Sequence, residues 1–287
     1  MTRVAQLPIH RATEADCPAI VTFLRNHIES SMFPLSNLAH HGLGRDHPNA
    51  QRIWIETDGP DVTGLIALTE AGSLLPQFPP DRVELFAAAV DGEKVAMILG
   101  DARQVSVLRT ALGLTRAPLR TLNVEPHFSL DLSDLIVPEG EGTLAPLSAA
   151  PTQLLVDWRV AYEVETFGGE PSALRADAAR QIARWTADDS HRVLMSKGQP
   201  IAMTGFNARL PDIVQIGGVW TPPDLRRRGH ARRAVALHLS EAQKAAVSRA
   251  VLFAASEPAA RAYRAIRFRQ IGEFSLCIFK KAQVVNV

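Results

Sequence analysis

Residues 219–231 read Val219-Trp220-Thr221-Pro222-Pro223-Asp224-Leu225-Arg226-Arg227-Arg228-Gly229-His230-Ala231. The apolar, β-branched run 213–219 predicts a buried strand, and the two prolines end it. Apolar residues then recur at helical spacing over 231–246. A strand, a turn and a long helix in this order place free backbone N–H groups and the positive end of a helix dipole at one point. The stretch therefore predicts a phosphate-binding site.

Three glycines mark places where the backbone needs room. Gly217 and Gly218 interrupt the strand, which predicts a bulge or the close approach of a ligand. Gly229 lets the chain approach phosphates with no Cβ in the way. The chain has neither a Walker A pattern nor Gly-x-Gly-x-x-Gly, so nucleoside triphosphates and dinucleotides are not the expected ligands.

A second segment follows the same logic. Residues 249–255 predict another apolar strand, and Ser256 predicts a helix N-cap with Glu257 and Pro258 in the first turn. Tyr263 lies five residues after Pro258. The pattern therefore places a tyrosine on a short helix directly after a buried strand.

These segments resemble the GNAT superfamily of N-acetyltransferases. Arg-x-x-Gly-x-Ala resembles its pyrophosphate-binding loop, and 256–268 resembles its Asn-Pro-x-x-x-x-x-Tyr-x-x-x-Gly-Phe segment. The resemblance is specific over 190–280 and looser over 143–189. Ser256-Glu257 replaces the usual asparagine region, and Arg267 stands where glycine is common.

The resemblance implies direct acetyl transfer from acetyl-CoA, used as a co-substrate, to an amine without a covalent acyl-enzyme. A backbone N–H near the strand end would stabilise the oxyanion. A thiol pKa of about 8.5 and a phenol pKa of about 10 let Tyr263, which would face the CoA sulfur, donate a hydrogen bond or a proton. The implied cofactor-binding residues are Val219, Trp220, Thr221, Arg226, Arg227, Arg228, Gly229, His230, Ala231, Ser256 and Tyr263.

The general base is less evident. A lysine-like amine is protonated at pH 7, and deprotonating it costs about 4–5 kcal/mol. Many relatives place a glutamate on the strand before the phosphate loop, where this chain has Gln215, which can orient a water but cannot take a proton. Glu165 is the second candidate, with Glu163 nearby, and a solvated helix end is the competing interpretation of both.

Composition is that of a soluble globular protein, with 46% hydrophobic and 21% charged residues. No apolar run reaches membrane-spanning length, and residues 1–8 show no signal-peptide core. Cys17 and Cys277 are far apart, and His40, His41 and His47 are interpreted as loop histidines. We therefore expect a cytoplasmic protein with no disulfide, no metal and no membrane partner.

Positive charge is concentrated near the end of the chain. Residues 221–287 hold 13 Lys/Arg against 4 Asp/Glu, while the whole chain has a net charge of +1. No aromatic stacking platform accompanies this excess, and the phosphates of CoA explain it sufficiently. No nucleic-acid partner is therefore expected, and the chain would be a monomer or a homodimer.

The predicted fold is α/β (α+β) with two GNAT-like domains, each a mixed, mostly antiparallel twisted sheet flanked by helices. Residues 137–142 are the linker candidate between a domain at 1–138 and one at 139–287. The first repeats the second loosely, but no glycine and no Arg-x-x-Gly follow its strand at 74–76. We expect it to be degenerate and to shape the acceptor site or brace the second domain, which holds the acyl-CoA site and, we expect, the closing strand at 274–279.

The sequence thus predicts an acetyl-CoA-dependent N-acetyltransferase. A non-catalytic acyl-CoA-binding or sensing protein is the alternative, and Gln215 is its main support. The acceptor is a small-molecule amine or an amine of a peptide or protein, and a polyamine, an amino acid and an antibiotic all stay open.

Overall fold

The computed structural model describes residues 9–287 as alternating strands and helices. The first half contains β1 (Ile9–Arg11), α1 (Cys17–Asn26), α2 (Met32–His41), β2 (Gln51–Asp58), β3 (Asp61–Thr69), β4 (Ser73–Gln77), α3 (Val83–Ala89), β5 (Lys94–Asp101), α4 (Ala102–Ala111) and β6 (Leu119–Asp131). The second half contains β7 (Thr143–Pro146), α5 (Thr152–Phe167), α6 (Pro171–Ala187), β8 (His191–Ser196), β9 (Gln199–Arg209), β10 (Ile213–Trp220), α7 (His230–Lys244), β11 (Arg249–Phe253), α8 (Glu257–Arg264) and β12 (Arg269–Val284). Residues 1–8, where the sequence shows no signal-peptide core, lie outside the described residues.

The chain divides into two compact units. One comprises the residues up to Val124 together with Glu273–Val287, and the other is Glu125–Gly272. The division thus falls elsewhere than the predicted boundary at 138/139, and the expected linker at 137–142 lies inside the second unit. None of the helices in residues 9–287 has the length and apolar character needed to cross a bilayer.

Both units have the same sheet pattern. In the first unit the strand order is β1-β2-β3-β4-β5-β12, and in the second it is β7-β8-β9-β10-β11-β6. In each order the fourth and fifth strands are parallel, and the other neighbours are antiparallel. The repeat expected from the sequence is therefore present at the level of topology.

The last strand of each sheet comes from the other half of the chain: β12 completes the first sheet and β6 completes the second. The prediction that residues 274–279 close the C-terminal sheet is wrong, because Phe274 to Ile278 pair antiparallel with β5 of the first unit. The position beside β11 is taken by β6, with His127 to Asp131 opposite Phe253 to Arg249. The apolar pattern of 274–279 predicts a strand, but it carries no information about the partner of that strand. The strand β6 was not predicted from the sequence.

Helices cover both faces of the second sheet. On one face α7 and α8 pack on β6, β10 and β11 around Phe128, Val214 and Leu239. On the other face α5 and α6 pack around Trp158, Trp185 and other apolar side chains. The first unit has its own core of apolar residues from β3, β4, β5, α3, α4 and the end of the chain. Each unit therefore buries its own sheet.

Two histidines are held neutral inside the second unit. His238 of α7 stacks on Phe206 at 3.9 Å between ring centroids, and burial, followed by the charges of Arg192 and Arg209, lowers its pKa to about 3. His191 is fully buried against Trp185, and burial also lowers its pKa well below the ordinary value.

Acid should destabilise the fold through these histidines. Below pH 6.5 the unfolded chain binds protons that the folded chain excludes, so the free energy of unfolding falls by roughly 1 kcal/mol per pH unit for each histidine. In urea unfolding between pH 7 and pH 5, the free energy of unfolding of His238→Phe should therefore fall less than that of the wild type. If the free energy of unfolding has the same pH dependence in both proteins, His238 is not held neutral in the folded protein.

Gly205 of β9 has no side chain where the ring of His191, its partner on β8, occupies the space. A Cβ at Gly205 would lie 2.0 Å from Cδ2 of the buried His191 ring. Because that ring is stacked on Trp185 and has nowhere to move, Gly205→Ala should lower the free energy of unfolding by about 3 kcal/mol, at the upper end for overpacking. Gly272→Ala, where an added Cβ meets nothing within 4 Å, is the control. Equal stability of the two variants in urea unfolding would refute this packing argument.

Candidate acyl-transfer site

The strand end before the predicted phosphate loop is irregular, as its glycines indicate. The register of β10 against β9 shifts between Gln215 and Ile216 and again between Gly217 and Trp220. Gly218 has φ +62°, in the left-handed region. The predicted bulge is confirmed, and backbone groups in a bulge are left outside the ladder.

The two parallel strands of this unit are paired over a short length. Ile213 to Gln215 of β10 pair with Arg249 to Val251 of β11. β10 then continues for five more residues, to Trp220, beyond that pairing. In the chain, β10 is followed by the loop that leads to α7, and β11 is followed by the short turn that leads to α8.

The start of α7 is not capped by a side chain. Gly229 is the residue before the helix, with φ +83°, and no side chain caps the helix from that position. A Cβ added at Gly229 would meet only Nη2 of Arg232, at 3.6 Å. Arg227 also has a positive φ, +65°. The loop therefore presents the open end of a 15-residue helix, where an anion is favoured.

Several side chains of the loop have partners within the protein. Arg226 donates to both carboxylate oxygens of Glu165, at 3.0 and 2.8 Å, and its guanidinium lies 4.8 Å from the centre of the Trp220 ring. Arg228 donates to the carbonyl oxygen of Asp224 at 3.2 Å. His230 is buried, with Nε2 3.8 Å from an oxygen of Glu141. The structure thus pairs two predicted site residues, Glu165 and Arg226, with each other.

A cavity of about 460 Å³ lies beside this ion pair. One face of α5, the beginning of α6 and the end of β10 surround it, and its lining residues include Val160, Val164, Trp220, Pro223 and Glu165. At its rim Asp157 accepts a 2.7 Å hydrogen bond from Arg175. The cavity therefore combines apolar walls with carboxylates at the edge.

Tyr263 is buried on α8. The helix begins as predicted, because Ser256 is its N-cap and accepts a hydrogen bond from the Ala259 N–H at 3.3 Å. Burial, followed by the neighbouring Tyr162 and the charge of Glu125, raises the pKa of Tyr263 well above its ordinary value. The phenol therefore keeps its proton at neutral pH. Ser256 caps the helix that carries Tyr263.

Two buried groups near the strand end lack partners among the described residues. Trp220 Nε1 and Thr221 Oγ1 are inaccessible to solvent and make no hydrogen bond within residues 9–287. An unsatisfied buried polar group is costly, so groups of this kind mark places where a ligand completes the bonding.

The part of the chain that carries this geometry matches a known protein family. Residues 153–268 match the sequence model of the acetyltransferase (GNAT) family. This segment is a GNAT acetyltransferase domain. The match covers most of the second unit and includes the predicted phosphate loop and Tyr263. It supports acyl transfer as the general activity.

Solved structures extend the likeness of fold to nearly the whole chain. A GCN5-related N-acetyltransferase from Sphaerobacter thermophilus is 17% identical, with TM-score 0.54 and coverage of 100% of this chain and 99% of that one. A tandem GNAT protein from the clavulanic acid biosynthesis pathway is 13% identical, with TM-score 0.53 and coverage of 94% and 97%. A Drosophila protein is 12% identical, with TM-score 0.62 and coverage of 94% and 98%. No curated protein matches the sequence significantly.

Three other residues that the sequence indicated lie on β10 and α7. Gln215 is buried in β10, opposite Val251, and its Nε2 has no partner among residues 9–287. Ala231 lies in the first turn of α7, and Val219 lies within the bulge. In residues 9–287 no group of three or more His, Cys, Asp or Glu side chains is arranged to hold a metal.

Sequence reasoning missed two residues of the second unit. Tyr162 of α5 packs edge-on against Trp220, at 6.3 Å between ring centroids, and its pKa is raised, mainly by burial. Glu125 begins the second unit and is buried on β6. The strand at 119–131, which carries Glu125, was not predicted from the sequence.

Proposed function

We propose that the chain is an acetyl-CoA-dependent N-acetyltransferase that transfers the acetyl group directly to an amine. The observation that carries this proposal is the uncapped start of α7, which follows the bulged end of β10 after a nine-residue loop. The buried Tyr263 lies on the helix that follows the neighbouring strand. The GNAT family match supports the class of reaction.

The pyrophosphate of CoA would bind at the start of α7. Its charges suit the free N–H groups around Gly229 and the helix dipole. Arg227 and Arg228 would add positive charge there, whereas Arg226 is held by Glu165. The ion pair would therefore fix the loop against α5 instead of contacting phosphate.

The acetyl group would lie at the bulged end of β10. A backbone N–H at Val219 would donate to the thioester oxygen as it becomes an oxyanion. Attack of the neutral amine forms the C–N bond, and collapse of the tetrahedral intermediate breaks the C–S bond. Tyr263 would donate a hydrogen bond to the departing thiolate, since its raised pKa disfavours full loss of its proton.

The acceptor would approach along α5. The apolar cavity beside Trp220 suits the carbon skeleton of a small amine or of a peptide side chain, and the carboxylates at its rim suit the ammonium group. Glu165 would attract the acceptor's ammonium group by its negative charge. It would also hold Arg226, because both of its carboxylate oxygens accept hydrogen bonds from that guanidinium.

The first unit would not bind CoA. Its corresponding helix, α3, has seven residues and follows Arg82, whose φ is −99°. There is thus no left-handed glycine to open the start of that helix. We propose that this unit is a degenerate GNAT-like domain.

Release of free thiol from acetyl-CoA tests the function. Purified protein should release CoA thiol with one class among polyamines, amino acids, aminoglycosides and peptides, and the release should depend on the amine. Tight acetyl-CoA binding without release under any of these conditions would favour the sensing alternative, to which Gln215 points.

A further inference from the structure

The cavity beside α5 is largely apolar and opens to solvent at its rim. Its walls include Val160, Val164 and Trp220, and Pro171 and Pro223 also line it. Its volume of about 460 Å³ lies in the range of sites that bind small organic groups. Contact with an apolar group releases water from these walls, so the cavity favours an apolar side chain over a charged one.

The charged groups around this cavity already neutralise one another. The three carboxylates of α5 all form ion pairs with arginines: Asp157 with Arg175, Glu163 with Arg159, and Glu165 with Arg226. Arg226 is held further by a 3.0 Å hydrogen bond to the Thr221 carbonyl oxygen and by its position over the Trp220 ring. An acceptor with several positive charges would have to displace these arginines or leave its own charges unpaired in the cavity, and both are costly. The cavity therefore disfavours polyamines and aminoglycosides.

The same ion pairs affect the proton of the acceptor amine. Protonation of Asp157 or Glu165 would break an ion pair, and the buried Gln215 of β10 is an amide that cannot take a proton. An amine that is already neutral in solution is favoured at such a site. At pH 7 about one in ten peptide α-amino groups is neutral, against about one in 2,500 lysine-like amines. This difference of roughly 250-fold favours a peptide N-terminus.

We propose that the acceptor is the N-terminal α-amino group of a peptide whose first side chain is apolar. The inference rests on the proposed function and names its acceptor. The first side chain would lie against Val160, Val164 and Trp220, which brings the amine to the end of β10.

The transfer needs no proton acceptor in the protein. The ammonium form would be drawn to the rim of the cavity and lose its proton to water. The nitrogen lone pair then forms the C–N bond, and the C–S bond breaks with its electrons on sulfur. One of the two nitrogen protons passes to the thiolate, so the products are the acetylated peptide and the free thiol.

The first test compares two peptides that differ in which amine is free. Leu-Gly-Gly amide offers only an α-amine, and Leu-Gly-Lys amide with an acetylated N-terminus offers only a lysine ε-amine. With the full-length chain at pH 7, thiol release should show a kcat/KM about 100-fold or more higher for the first peptide. Its kcat/KM should rise with pH and level off above about pH 8, where the α-amine is neutral. Equal kcat/KM for both peptides, or a preference for the ε-amine, overturns the proposal.

The second test concerns the first side chain. Wild type should prefer Leu-Gly-Gly amide to Arg-Gly-Gly amide by about tenfold or more in kcat/KM, because the guanidinium finds no unpaired carboxylate in the cavity. Ala161 lines the cavity and is exposed, so Ala161→Asp adds a carboxylate there and should reduce this preference about fivefold or more.

Ala179→Asp is the matched control for Ala161→Asp. Ala179 is exposed on α6 and is not part of the cavity lining, so this variant should keep the wild-type preference between the two peptides. Both variants should bind acetyl-CoA as wild type does, which shows that the fold is retained. The same preference in Ala161→Asp and Ala179→Asp overturns the placement of the first side chain in this cavity.

Failure of this inference and failure of the proposed function give different results. Thiol release with a polyamine, a free amino acid or an ε-amine, but not with Leu-Gly-Gly amide, overturns the acceptor assignment and leaves acetyl transfer to an amine in place. Absence of thiol release with every amine overturns the proposed function and the acceptor assignment together.

Discussion

Gly229→Glu should weaken acetyl-CoA binding at least 100-fold, about 3 kcal/mol, while the fold is retained. The residue has φ +83°, where a side chain is strained, and the new carboxylate would face the pyrophosphate at the positive end of α7. Space is available for the side chain, because only Arg232 lies within 4 Å of the added Cβ. Calorimetric titration of the variant with acetyl-CoA measures the loss.

Gly113→Glu is the matched control. Gly113 has φ +68° and precedes a three-residue 3-10 helix in the first unit, and an added Cβ meets nothing within 4 Å. Its acetyl-CoA affinity should equal that of wild type. If Gly229→Glu binds as tightly as Gly113→Glu, the phosphates do not lie at the start of α7.

Tyr263→Phe should lower kcat by about 100- to 1000-fold with little change in acetyl-CoA affinity. The phenol is buried and holds its proton, so its contribution is a hydrogen bond to sulfur as the C–S bond breaks. That interaction grows only as charge develops on the thiolate. Steady-state kinetics with thiol detection measures kcat, and calorimetry measures affinity.

Tyr162→Phe provides the comparison for Tyr263→Phe. Tyr162 is the other tyrosine of the chain and packs on Trp220, so loss of its hydroxyl should cost less activity than loss of the Tyr263 hydroxyl. Comparable kcat values for wild type and Tyr263→Phe would remove the tyrosine from the chemistry and favour the sensing alternative.

The parts of the site that the sequence predicted are local in the chain. Pro222 and Pro223 end a strand, Gly229 opens a helix and Ser256 caps another, and each of these effects acts within a few residues. Arg267 illustrates the same point, because its φ of +80° shows why glycine is common at that position. Local backbone rules were therefore enough to find the loop and the helix that carries Tyr263.

The parts that the sequence did not predict depend on distant segments. The pairing of Arg226 with Glu165 joins residues 61 positions apart, and nothing in the local pattern of either residue indicates it. β6 pairs with β11 across more than a hundred residues, and the alternation in 119–131 fits any sheet. Glu125 lies on this strand, which was not predicted from the sequence, so its place in the second unit was not predicted either.

The most direct measurement for the central claim is calorimetric titration of the full-length protein with acetyl-CoA. One site per chain is expected, because we propose that the loop around Gly229 receives the pyrophosphate, while α3 of the first unit lacks an equivalent glycine. Heat of binding that reaches saturation at one equivalent, and that Gly229→Glu abolishes, is the predicted result. No binding by the wild type, or full binding by Gly229→Glu, would contradict the account.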